Sequence, residues 1–343
     1  MRAGVTRRSL IGGLGALAAC GGDPLSAAPD VAAPTVSAPT PPPAPPKVHA
    51  AVGPLDGLST IERRLYVHPD AFSGLGPARK NGWRDRVHER GQSFADFSVS
   101  APNWPQAPRG RLYLLPLGTF PNEMVVEPAY TLLVRGPEPS RLAQFLERFY
   151  GVPVTIMDPI ALDTLGLPFR EREGHRQYDI TALFNAMAPL LPADAYSMTA
   201  ILNRDLYAFQ RQEYAFGYGL HRERLAVMSG VRFDPSFSGA SRGVAWRGDI
   251  ERRTLVVLAH EVGHTFGMRH CTYYRCVLNG LSHVPEVDAT PLHLCPVCLR
   301  KLLSLGTVDA RERYERLEAW YRSIAMNEPA TWVAQRLMHL QRA

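Results

Sequence analysis

The chain is predicted to fold as a mixed α/β sheet with helices packed on it. Three observations carry this: short β-rich apolar runs alternate with segments of helical periodicity, no internal repeat is visible, and no apolar stretch in the body of the chain is long enough to cross a membrane. Residues 111–117 (RLYLLPL) read as a buried strand, and residues 130–134 as a second. Residues 140–150 place Leu142, Phe145, Leu146 and Phe149 at helical spacing behind Ser140 as a capping residue. A β-rich run at 152–157, a helix at 179–191 and apolar runs at 198–202 and 225–229 complete the alternation.

With 343 residues, 45% hydrophobic and 20% charged, the chain can bury one core of ordinary size and carry appendages beside it. The formal charge of +6 falls to +3 once Arg2, Arg7 and Arg8 of the N-terminal segment are set aside, and no basic run is interleaved with aromatics. A nucleic-acid partner is therefore not expected.

The next helix carries the chemistry. Behind Asp249 as cap, Leu255, Leu258, Ala259, Val262 and Phe266 form one apolar stripe, and His260 and His264, four apart, project from one face and can share a metal. Gly267 stands where a helix needs a left-handed residue to stop, and the turn can return His270 to the first two histidines. Three neutral imidazoles leave one position of a tetrahedral zinc open, as catalysis requires. Glu261, rotated off the ligand direction, is placed to act as general base.

His260-Glu261-x-x-His264-x-x-Gly267-x-x-His270 is the metzincin pattern. Cys271 follows at once, then Cys276 and Cys295-Pro296-Val297-Cys298, and this combination resembles the archaemetzincins, a family of zinc peptidases, over roughly residues 85–300. The resemblance implies a metzincin-like mixed sheet and an active-site helix ending in a Gly turn, followed by a small zinc-bound C-terminal subdomain. It also implies catalytic zinc on His260, His264 and His270, Glu261 as base, and structural zinc on Cys271, Cys276, Cys295 and Cys298, two Zn2+ in all. One departure is Leu278, where the family carries a methionine as apolar packing under the zinc; leucine has a similar volume. On spacing alone, C-x4-C with a later C-x-x-C favours a tetrahedral thiolate site, whereas an exported chain would tend to oxidise paired cysteines to disulfides. Both readings stay open.

Residues 1–20 read as an export signal: a positive start, an apolar run from Leu10 to Ala19, and Leu17-Ala18-Ala19-Cys20, which resembles the lipobox of bacterial lipoproteins, with Cys20 as the lipidated residue. The alternative is an ordinary signal peptide. Residues 6–11 (TRRSLI) also resemble a twin-arginine signal, which would allow metal loading before export. Residues 21–54, rich in Pro and Ala, read as a disordered tether, and 55–343 as the catalytic domain ending in C-terminal helices.

The expected protein is a monomeric zinc metallopeptidase cutting peptide or protein substrates, lipid-anchored in a bacterial envelope, at the outer membrane, facing periplasm or exterior. The alternative is a non-catalytic zinc-binding envelope lipoprotein on the same scaffold; Glu261 discriminates, since zinc binding needs only the histidines. Tyr273 and Tyr274 are candidates for oxyanion stabilisation or for plain packing, while His175, His221, His283 and His293 fit no ligand spacing.

Overall fold

The computed structural model describes residues 49–66, 72–100, 103–127, 130–209 and 213–341. Cys20, the export signal and most of the tether lie outside these residues. In chain order the elements are helices α1 (His49–Val52), α2 (Thr60–Tyr66), α3 (Trp83–Arg86) and α4 (Phe94–Val99), then strands β1 (Arg111–Leu117), β2 (Asn122–Glu127) and β3 (Tyr130–Arg135). Next come α5 (Pro139–Tyr150), β4 (Val154–Ile156), β5 (Phe169–Arg172), β6 (His175–Asp179), α6 (Ile180–Met187), β7 (Ala195–Leu202), β8 (Asp205–Tyr207), β9 (Gly217–Leu220) and β10 (Leu225–Ser229). Helices α7 (Trp246–Thr265), α8 (Val284–Ala289), α9 (Pro296–Leu303), α10 (Ala310–Ser323) and α11 (Asn327–Gln341) follow.

The main sheet has the order β4-β1-β7-β10-β9, parallel except for the antiparallel edge strand β9. Its inner strands β7 and β10 are buried along their whole length because both faces are covered. Helices α5 and α7 pack on one face, where Leu112 and Leu114 meet Leu142, Phe145, Leu255 and Val262. Helix α6 covers the other, against Leu115, Leu117, Met198 and Val227. A β2–β3 hairpin and a small β5-β6-β8 sheet complete the strands.

Local chemistry explains where the elements begin. Asp179 caps α6 by accepting from the Thr181 and Ala182 amides, and Pro189 then turns the chain into a short 3-10 segment, so the helix expected to reach 191 stops at Met187. Two expected caps are corrected. Helix α5 starts at Pro139 behind Glu138, with Ser140 inside it. Helix α7 starts at Trp246, which puts Asp249 in its first turn, where it favours the positive end of the helix dipole without capping it. The stripe on α7 lies as expected: Leu255, Leu258, Ala259, Val262 and Phe266 are all fully buried.

The cysteines and the apolar faces of α9, α10 and α11 belong to the same buried cluster as α7 and the sheet, so this C-terminal part shares the core instead of building its own. Packing also reaches back to Ala51 and Val52, whose segment receives an Arg300 hydrogen bond at the Val52 carbonyl (2.5 Å), so folded structure begins before residue 55. No described helix is long and apolar enough to cross a membrane.

Candidate active site

Helix α7 ends as its sequence requires. Gly267 adopts φ 80°, a left-handed conformation costly for a residue with a Cβ, and its amide and that of Met268 close back on the carbonyls of His264 and Gly263. The chain thus reverses and brings His270 beside His260 and His264, with ring centroids 4.6–5.1 Å apart pairwise.

Each of the three imidazoles has its Nδ1 engaged. His260 Nδ1 lies 2.9 Å from the Val277 carbonyl and His264 Nδ1 2.7 Å from the Met268 carbonyl. Carbonyls only accept, so both rings carry their proton on Nδ1 and present a bare Nε2 lone pair. Those two Nε2 atoms face each other at 3.0 Å, an arrangement that repels unless a cation lies between them. Zinc–nitrogen bonds of about 2.0–2.1 Å in a tetrahedron separate two ligand nitrogens by roughly 3.3 Å, so the donor set fits. Burial, then the neighbouring imidazoles, push His260 well below the ordinary histidine range, and burial chiefly pushes His264 down to about 3, so both rings are neutral, as metal ligands must be.

The third ring is oriented by a residue absent from the motif. His270 Nδ1 lies 2.9 Å from both carboxylate oxygens of Glu89, which also accepts from Trp83 Nε1 at 3.0 Å, while the Trp83 ring stands edge-on to His270 at 4.8 Å. Burial works to raise Glu89, but its hydrogen bonds and the nearby imidazoles outweigh it and hold the carboxyl below its usual range. A carboxylate behind a metal-binding histidine fixes its tautomer and raises its basicity. Glu89→Ala should therefore cost about 10–100-fold in zinc affinity, measured by chelator competition; unchanged affinity would show the contact to be incidental.

Glu261 is fully buried between α7 and β9. Tyr218 and Leu220 point into the core on one face of that strand, and Gly217 and Gly219 turn the other face to the helix. A Cβ on Gly217 would fall 2.7 Å from Glu261 Cγ, and one on Gly219 would fall 2.4 Å from the Glu261 carbonyl and 2.7 Å from His264 Cβ. The bare backbone lets the edge strand press directly against the residues of the motif. Leu278, fully buried, packs against Gly263 of α7.

Cys271, Cys276, Cys295 and Cys298 form a second cluster, all buried and all free thiols, with sulfurs within 4.8 Å of one another. Cys271 and Cys295 sulfurs are 3.5 Å apart, and the Cys295 amide donates to Cys276 Sγ at 3.4 Å. Tetrahedral Zn–S bonds of about 2.3 Å place sulfurs roughly 3.8 Å apart, so this set also fits zinc. Burial pushes the Cys276 and Cys295 thiols well up, while hydrogen bonds from the three neighbouring thiols hold Cys271 well down. Asn279 laces the loop between the clusters, donating to the carbonyls of Cys271 and Tyr274 and accepting from the Cys276 amide.

The other tyrosine and histidines singled out in the sequence make packing contacts. Tyr274 is buried against Phe72, His293 stacks on Trp332, His221 lies against Gly267, and His175 stacks on Phe237. His283 precedes α8, with Nδ1 3.5 Å from Glu286.

An imidazole and a thiolate donor set thus lie side by side, each able to hold a metal ion, with a glutamate beside the first. Residues 197–304, which contain all seven candidate ligands, match the model of Peptidase family M54. The chain is 25% identical over 280 residues to Archaemetzincin-2 of Pongo abelii and 24% identical over 280 residues to that of Homo sapiens, in each case over 73% of this chain and 75% of the relative. The structure of the archaemetzincin of Methanopyrus kandleri aligns with a TM-score of 0.41 at 21% identity, over 60% of this chain and 99% of the other. The family-model match and the curated relatives support a zinc metallopeptidase similar to the archaemetzincins.

Proposed function

We propose that the chain hydrolyses peptide bonds at a zinc ion held by Nε2 of His260, His264 and His270, with Glu261 as general base, and that a second, structural zinc sits on the four cysteines. The observation that carries this is the convergence of three imidazoles, each with Nδ1 engaged, beside a buried carboxylate on the same helix. Zinc bound there would bring the pKa of a water towards neutrality and polarise the scissile carbonyl. Glu261 takes the proton of the attacking water and hands it to the departing amine. Strand β9 ends the main sheet, and its outer edge offers backbone groups with which an extended substrate can pair, holding the scissile bond over α7.

The test is zinc content together with digestion of a peptide library by the chain from residue 49. Zinc bound at both clusters without chelator-sensitive cleavage would favour the non-catalytic alternative.

The envelope location is proposed from residues 1–20 alone. Lipid chains on Cys20 would be its strong apolar anchor, so Cys20→Ser should move the protein from the membrane fraction to the soluble fraction in a fractionated bacterial host. Persistent membrane association would count against the lipobox. A monomer acting on peptides, without a nucleic-acid partner, completes the proposal.

A further inference from the structure

The turn that follows α7 governs two of the three histidines: Met268 supplies the carbonyl behind His264, and Arg269 leads directly into His270. That turn is gripped from outside by one side chain. Gln92, 4% exposed, donates from Nε2 to the Gly267 carbonyl at 3.1 Å and accepts at Oε1 from the Arg269 amide at 3.0 Å. It therefore brackets Met268 on both sides. The orientation of its amide is fixed by a third partner, Lys301, whose Nζ donates to the same Oε1 at 3.0 Å. Two donors on Oε1 leave Nε2 no choice but the Gly267 carbonyl.

Lys301 is itself unusual. It is 1% exposed, lies about a turn beyond Cys298 on α9, and the one hydrogen bond of its ammonium among the described residues goes to Gln92, with the Phe97 ring centroid 5.9 Å from Nζ. Burying an ammonium is costly unless the contact it makes is worth keeping. Cys295 is the N-cap residue of α9 and Cys298 lies within the helix, so the Lys301–Gln92 contact joins the element that places two thiols to the turn bearing the imidazoles.

We infer that Gln92 and Lys301 are a positioning pair that transmits the fixed placement of α9 to the turn at Gly267–Arg269, and so sets the orientation of His264 and His270 toward the catalytic metal. The inference rests on the proposed ligand assignment.

The experiment uses the full chain loaded with cobalt, whose thiolate complexes show an intense charge-transfer band that imidazole complexes lack, so the two sites are read separately. Gln92→Met keeps the volume and removes all three hydrogen bonds. It should release histidine-site cobalt to a chelator about tenfold faster or more, with the thiolate band unchanged. Lys301→Met should act in the same direction, and the double variant should release no faster than Gln92→Met alone, because Lys301 works through Gln92. Gln92→Glu, which keeps the acceptor for Lys301 and the Arg269 amide, should fall between wild type and Gln92→Met; it also serves if Gln92→Met fails to fold. Unchanged release in Gln92→Glu and Gln92→Met, or additive effects of the two sites, would overturn the pair. Failure of the ligand assignment is distinguished by wild type itself: no cobalt outside the thiolate site, or histidine-site cobalt retained in His264→Ala, overturns that assignment and the inference with it.

Discussion

Glu261→Gln should abolish most turnover while leaving the metal in place. Glutamine matches the shape of the glutamate, so the contacts that hold it against Gly217 and Gly219 survive, and the histidine ligands are untouched. What disappears is the acceptor for the proton of the attacking water. Loss of a general base costs about 10²–10⁴-fold, so kcat/KM on a peptide found in the library digest should fall by at least about a hundredfold, with zinc content equal to wild type. Undiminished hydrolysis would remove Glu261 from the mechanism, and loss of zinc would assign it to the metal site instead.

The largest effect on the folded state is expected from Cys276→Ser or Cys298→Ser. Cys271 directly follows His270, and the loop from Cys271 to Leu278 supplies the amide that pairs with the Leu278 carbonyl beside the Val277 carbonyl behind His260. A structural zinc contributes on the order of 10 kcal/mol of folding free energy in small zinc domains, and here its loss would release the segment that carries the third histidine. Metal analysis should therefore find two zinc ions per wild-type chain and none, not one, in either variant, with thermal unfolding shifted down sharply. In wild-type protein stripped of metal, all four thiols should alkylate without reductant. A variant with one zinc and full activity would separate the two sites, and thiols unreactive until reduced would decide for disulfides.

The two kinds of information divide along physical lines. Sequence by itself picked out the histidines and cysteines that cluster in the fold, because a helix puts positions four apart on one face, a left-handed residue must be Gly at low cost, and each cysteine pair is closely spaced; bringing the two pairs together took the packing of α9. It also determined the strands of the sheet core, β1, β7 and β10, whose apolar runs are continuous since both faces are buried. It did not show Glu89, Gln92 or Lys301. Glu89 and Gln92 lie 181 and 177 residues from the partners they hold, His270 and Arg269, and all three are residue types that usually face water. Nor did it show the role of Gly217 and Gly219, which is a clearance between strand and helix and has no local signature. The short elements β5, β8 and β9 and the α2–α4 region, with little periodicity of their own, exist because the core holds them. Which atoms could bind metal was written in the chain; which way each imidazole points, and what keeps it there, was decided only when distant segments packed around the turn after α7.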